Sequence, residues 1–179
     1  MKTLLIFSHD NAKRSKAGMS LVKSAQNNNI DTHIISESYP DEDINTQAEV
    51  ELLAKYDKIV LLFPMYWLNC NYLTKKWIDT VVSYYYQNSD NMASFASKEV
   101  GIVTTYGSNV FNDAKPGKRS LSISDGRTIE VSSVTEYYNS IIDSFLYINA
   151  KIANPSVLAI HANNVNNPKE VESFLNYIK

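Results

Sequence analysis

One cysteine, Cys70, stands in 179 residues, so no internal disulfide can form and no thiolate cluster can hold a metal. Such cysteine usage fits a reducing cytoplasm. Histidine is scarce too. His33 lies in an apolar stretch and His161 just past another, and neither has a Cys, His or carboxylate at ligand spacing. No Ser-His-Asp or Cys-His constellation can be assembled, and Cys70 has no identifiable activating partner, so hydrolase and metalloenzyme chemistries lack support. Glycine and proline number five each, and no Pro/Gly/Ser-rich linker divides the chain. Length and continuity therefore predict a single domain over 1–179. Long hydrophobic runs are absent. Met1–Phe7 is too short for a secretory leader and is broken by Ser8-His9-Asp10, and nothing approaches a membrane span. Charge is nearly balanced, with 17 basic against 19 acidic residues and a net of −2. That field favours neither nucleic acid nor an anionic membrane, and it lacks the strongly acidic face of a dedicated electron carrier.

What is present is alternation. Apolar strand candidates at Thr3–Ser8, Asp31–Ser36, Ile59–Phe63, Val100–Thr105 and Ser156–Ile160 are separated by helical stretches. The helices are expected at Ser15–Gln26, Thr46–Lys55, Asn71–Ser83, Val134–Ile148 and Pro168–Ile178. The second is expected to open with a capping box, Thr46-Gln47-Ala48-Glu49, and to bury Val50, Leu53 and Ala54. The last starts with proline, whose missing donor is harmless there. Such alternation predicts a three-layer α/β sandwich whose parallel sheet carries helices on both faces. Right-handed crossovers leave few topologies, of which the five-stranded order 2-1-3-4-5 is one. Residues 106–133 fit least well. Leu121–Ser124 and Thr128–Val131 flank Asp125-Gly126, which reads as a hairpin leaving the sheet to roof a ligand site, or else as an unstructured loop. Asparagine is abundant, as in Asn27-Asn28-Asn29, and reads as loop chemistry.

Three segments carry chemical potential. Residues 57–68 form a short apolar strand that meets Pro64 and then presents Met65, Tyr66, Trp67 and Leu68. In open parallel sheets, ligands sit beyond the carboxyl ends of the strands. Flat aromatic side chains there suit a flat aromatic ligand such as a flavin, and Pro64 is expected to end the ladder and free the amides that follow. The first loop, Ser8–Gly18, precedes a helix whose amino terminus can meet an anion. Ser15 adds a hydroxyl, and Lys13, Arg14 and Lys16 add positive charge. It is neither a Walker loop nor a GxGxxG fingerprint. The bland alternative is a solvated basic loop in which Ser15 merely caps the helix. Thr104-Thr105-Tyr106-Gly107-Ser108-Asn109 follows the fourth strand and falls beside Met65–Leu68. Trp77 reads as core, and Tyr84-Tyr85-Tyr86 as packing.

The run Phe63-Pro64-Met65-Tyr66-Trp67-Leu68 followed by Leu73-Thr74-Lys75-Lys76-Trp77-Ile78-Asp79-Thr80-Val81 resembles the NAD(P)H:quinone oxidoreductases of the flavodoxin-like fold. It is most similar to short bacterial members, including the ancillary flavoprotein of a potassium-efflux system and the modulator-of-drug-activity reductases. The likeness covers residues 2–82 well, is weaker over 98–107, and is at fold level thereafter. It implies a flavin phosphate held at His9, Ser15, Lys16, Ala17 and Gly18. It implies a ring held at Pro64, Met65, Tyr66, Trp67 and Leu68 and at Thr104, Thr105, Tyr106 and Gly107, with Tyr106 the candidate catalytic residue. The cofactor would be FMN, which the short chain favours over FAD. NAD(P)H would pass hydride to the flavin and leave, and a quinone would then take both electrons. The family also implies a homodimer. Alternatives are a flavin-bound ancillary subunit of a membrane transporter and a one-electron carrier. Three departures stand out. Gly18 replaces a frequent asparagine, Tyr106 replaces the first glycine of a TTGG segment, and Tyr84–Asp90 lacks the glycines of a GWAYG-like segment. The Tyr106 phenol either stands over the ring as a donor or covers a hydrophobic edge.

Overall fold

Five runs pair as parallel strands, of which the central three are buried on both faces by the connecting helices and the outer two are partly exposed. They are β1 (Thr3–Phe7), β2 (Asp31–Ile34), β3 (Lys58–Pro64), β4 (Glu99–Tyr106) and β7 (Lys151–His161), in the order β2-β1-β3-β4-β7. This is the expected 2-1-3-4-5 arrangement. The computed structural model describes residues 1–108, 119–122, 128–131 and 133–179, with side chains outside 109–132. One face is covered by α1 (Lys16–Asn27) and α7 (Pro168–Ile178), through Leu21, Val22, Phe174 and Ile178. The other meets α3 (Thr46–Leu53), α4 (Tyr72–Tyr86), α5 (Ser89–Phe95) and α6 (Asn139–Tyr147), through Leu53, Trp77, Phe95 and Phe145. Each large side chain buried in this way contributes about 1.5–3 kcal/mol.

Several boundaries differ from expectation. The second strand stops at Ile34, where pairing with Phe7 ends, and Ile35–Ser38 turns into a short helix, α2. No capping box opens α3. Its cap is Asn45, whose Oδ1 accepts from the Ala48 amide at 3.0 Å, and Ala54 is exposed while Glu49 is buried. Asn71, Asn88 and Asn167 cap α4, α5 and α7 in the same way, so these asparagines are helix initiators, not loop filler. The expected helix over Val134–Ile148 splits into a 3₁₀ turn, Glu136–Tyr138, and α6.

Strand β7 begins five residues earlier than expected and bulges opposite Gly101. Tyr177 from α7 fills the gap. Its hydroxyl accepts from the Ile102 amide at 3.0 Å and donates to the Ser156 carbonyl at 3.1 Å. A Cβ at Gly101 would stand 2.4 Å from that oxygen. Lys58 Nζ secures the same helix end by donating to the Tyr177 carbonyl at 2.6 Å and pairing with Glu99 at 3.0 Å. Segments β5 (Arg119–Ser122) and β6 (Thr128–Val131) pair antiparallel as a separate two-stranded sheet, so the chain does leave the main sheet here. The expected Asp125-Gly126 turn lies outside the described residues.

Candidate functional site

Parallel register aligns the carboxyl ends of four strands. Phe7 pairs with Leu62, Pro64 with Thr105, and Tyr106 with His161, so the loops after β1, β3, β4 and β7 share one edge. The loop after β3 is the most constrained. Tyr66 and Asn69 exchange backbone hydrogen bonds at 2.8 and 3.0 Å, and Trp67 and Leu68 between them adopt φ of 47° and 67°. Positive φ at both central positions defines a type I′ turn, normally built from glycine or asparagine. A left-handed conformation costs a side-chain-bearing residue about 1–2 kcal/mol, and such strain concentrates at functional sites.

Pro64 does not end the ladder as expected. The Met65 amide still donates to the Thr105 carbonyl at 2.8 Å, and the turn itself consumes the Tyr66 amide. Within the Tyr66–Asn69 turn, the central amides of Trp67 and Leu68 donate none of the hydrogen bonds among the described residues. The Trp67 ring is 99% exposed, whereas Trp77 on α4 is fully buried, as read from the sequence.

Tyr66 does not lie flat beside Trp67. Its hydroxyl meets His9 Nε2 at 3.2 Å and Asp10 Oδ1 at 3.4 Å, and its ring stands edge-on to the imidazole. It thereby ties the loop after β3 to the loop after β1. Burial lowers the His9 pKa, and Asp10, whose Oδ1 lies 2.7 Å from Nδ1, opposes that shift. The same Nδ1 lies 2.9 Å from the Asn11 amide nitrogen, and Nε2 faces the tyrosine oxygen. Burial, followed by Asp10, raises the Tyr66 pKa, which keeps the phenol protonated.

A second brace joins the same two loops. Asn71 is buried, donates through Nδ2 to the Ser8 carbonyl at 2.9 Å, and accepts at Oδ1 from the Thr74 amide and the Ser8 hydroxyl. Neither Ser8 nor Asn71 was a site candidate on sequence. The Asn-x-x-Thr spacing before an amphipathic run was the available signal.

At the start of α1, Ser15 makes no side-chain capping bond, so it is not the simple cap of the bland reading. The amides of Lys16, Ala17 and Gly18 precede the first intrahelical bond, donated by Met19 to the Ser15 carbonyl, and no acid occupies the first turn. Lys13, Arg14 and Lys16 are exposed around them. Gly18 has a steric reason. A Cβ there would lie 2.4 Å from the Phe7 ring and 2.8 Å from Ser15 Oγ, so asparagine could enter only if Phe7 moved.

Along β4, Thr104 is buried with its hydroxyl 3.0 Å from that of Tyr138, so it faces the core and not the edge. Tyr106 ends the strand without a left-handed φ, so replacing glycine there needs no backbone strain. A Cβ on Gly107 would touch nothing within 4 Å. Beside Tyr106, at the end of β7, lies His161, which sequence reasoning left unassigned. Burial raises the Cys70 pKa, opposite to what a nucleophile needs. Clefts of about 470 and 450 Å³ lie on the α4–α6 flank, and neither includes the first loop, Trp67 or Tyr106. No described helix is long and apolar enough to cross a membrane.

A family profile described as a flavodoxin-like fold matches residues 1–129. The glutathione-regulated potassium-efflux system ancillary protein KefG of Salmonella newport is 40% identical over 83 residues, which is 46% of this chain and 45% of that protein. The chain thus spans under half the length of the curated relatives it matches. Among solved structures, the general stress protein 14 of Treponema denticola, in complex with FMN, superposes with a TM-score of 0.77 at 21% identity, covering 99% of this chain and 98% of that one. An NADPH-quinone reductase from P. pentosaceus superposes with a TM-score of 0.77 at 24% identity, covering 100% and 98%. At these identities the superpositions speak for the fold.

Proposed function

The chain belongs to the flavodoxin-like fold family, and on that premise we propose that it is a flavin-dependent NAD(P)H:quinone oxidoreductase that binds FMN. The observation that carries this reading is the strained Tyr66–Asn69 turn, which leaves two amides and an exposed indole beside a helix start equipped for a phosphate. The residues present fit the cofactor at both ends. The Lys16–Gly18 amides, Ser15 and the basic side chains would hold the phosphate. The Trp67 and Leu68 amides would meet the polar part of the ring, where donors stabilise developing negative charge. Trp67 would cover the ring. When bound, FMN supplies hydride acceptance from a nicotinamide and two-electron delivery to a quinone. Burial raises the Tyr66 pKa, which keeps its phenol uncharged beside the first loop. Two likenesses support the reading, one to an FMN complex and one to an NADPH-quinone reductase.

The 83-residue match to a potassium-efflux ancillary protein favours a second reading, in which the flavin-loaded chain regulates a transporter. Flavin-dependent co-purification with such a transporter from membranes distinguishes it. An electron carrier would show a stable one-electron stage on reductive titration, where the enzyme shows a single two-electron stage. The primary test is the visible spectrum of the purified protein after incubation with FMN, repeated anaerobically with NADPH and then NADH. Flavin bands that bleach and return on adding a quinone are expected. A protein that takes up neither FMN nor FAD overturns the cofactor assignment.

A further inference from the structure

His161 is 6% exposed, and its Nδ1 accepts a hydrogen bond from the Asn163 amide at 3.2 Å, which starts the short 3₁₀ turn Ala162–Asn164. That bond leaves the ring proton on Nε2. Nε2 is buried and has no hydrogen-bond acceptor among the described residues. Leaving a buried donor unmatched costs about 1–3 kcal/mol, so its persistence calls for an explanation. The neighbour that the imidazole does meet is Tyr106. The two residues are paired across β4 and β7, which puts their side chains on one face of the sheet. Their rings stand perpendicular, at 89°, with centroids 5.2 Å apart. Edge-to-face pairs of this kind are worth about 0.5–1.5 kcal/mol beyond burial.

We propose that His161 is a positioning residue, which fixes the ring of Tyr106 at the carboxyl edge of the sheet so that the phenol is already oriented when ligand arrives. Both anchors of the imidazole serve this role. The backbone of Asn163 holds one ring nitrogen, and the perpendicular contact sets the ring against that of Tyr106. This inference deepens the proposed function, because it takes Tyr106 to face the bound flavin and its substrates.

Two substitutions separate the ring from the cap. His161→Asn retains an oxygen that can accept from the Asn163 amide but removes the imidazole. His161→Phe keeps an aromatic ring and loses the capping acceptor. The first readout is aromatic NMR of ring-labelled tyrosine in the cofactor-free protein. The Tyr106 signals, assigned through Tyr106→Phe, are expected to move in His161→Asn and to stay near wild type in His161→Phe. The second readout is stopped-flow reduction of the FMN-loaded protein by NADPH. His161→Asn should slow the saturating rate about 2- to 10-fold, the range set by the energy of one edge-to-face pair, while the FMN dissociation constant changes less than about 3-fold. Unmoved Tyr106 signals in His161→Asn, or an unchanged saturating rate, would overturn the proposal. An equal loss in both variants would also overturn it, because the cap alone would then be responsible. If wild type takes up no flavin, the functional reading fails, and the cofactor-free NMR comparison still decides whether His161 positions Tyr106.

Discussion

At the scale of single residues, two tryptophans carry opposite assignments. Trp77 fills the core and gives its Nε1–H to Glu49 at 2.6 Å, whereas Trp67 holds a φ of 47° and contributes almost nothing to packing. Trp67→Gly should therefore leave the stability of the cofactor-free protein unchanged or raise it by about 1 kcal/mol, because glycine accepts the left-handed conformation without strain. The same change should weaken FMN binding about tenfold, as expected for the loss of one aromatic stacking partner. Urea denaturation and fluorescence titration with FMN measure the two effects. A stability loss of several kcal/mol, as for a core tryptophan, would show that the ring packs and does not bind. The aromatic pair after Pro64 was legible as a site because strand ends in parallel sheets face ligands. The division of labour between Tyr66 and Trp67 was not, because it depends on His9, 57 residues distant from Tyr66, and on a turn that neither Trp67 nor Leu68 favours.

At the scale of elements, a buried carboxylate locks three of them together. Glu49 on α3 accepts from Tyr39 OH at 2.7 Å and from Trp77 on α4, and stands 2.8 Å from His33 Nε2 on β2. Burial alone would raise its pKa, but His33, Trp77 and Tyr39 outweigh burial and hold it below the ordinary carboxylate value. A carboxyl whose folded pKa is depressed contributes stability above its unfolded pKa and loses it as pH falls through the folded one. Glu49→Ala should destabilise the protein by about 3 kcal/mol at pH 7, since it strands the buried Trp77 indole and the half-buried His33 and Tyr39. Glu49→Gln should flatten the decline in stability between about pH 5 and pH 3. Urea denaturation at pH 7 and at steps below pH 5 reads both, and an acid limb equally steep in Glu49→Gln would assign it to other carboxylates. Sequence reading missed this lock because a glutamate at the start of a helix is ordinarily a solvated cap. It missed α5 because Ser89–Phe95 buries only Phe95 and so shows little periodicity. The amino-terminal half of β7 escaped because Asn154-Pro155 reads as a break, whereas the bulge absorbs it and Tyr177 replaces the missing ladder bonds.

At the scale of the whole molecule, alternation narrowed the strand order to a few topologies that include the observed one, while the outer surface of α4 and α6 could be seen only in three dimensions. Tyr86 and Tyr147 lie with ring centroids 5.3 Å apart beside Leu146, all at least half exposed, above the cleft of about 470 Å³. Aromatic residues grouped in this way are enriched at protein interfaces. Sedimentation velocity at micromolar concentration is expected to report a dimer, and Tyr147→Glu should shift it towards monomer while preserving the far-ultraviolet circular dichroism. A wild-type protein that stays monomeric would remove the dimer from the proposal. The edge where ligand is proposed to bind has another global property, traceable to the amide of Asn71. One side chain joins the end of β1 to the start of α4, and it does so with no ligand bound. The ordering entropy of these loops is therefore lost during folding and not at encounter. Arrival of a flavin should be a simple second-order event whose rate rises linearly with concentration, without the plateau that a closing loop would impose.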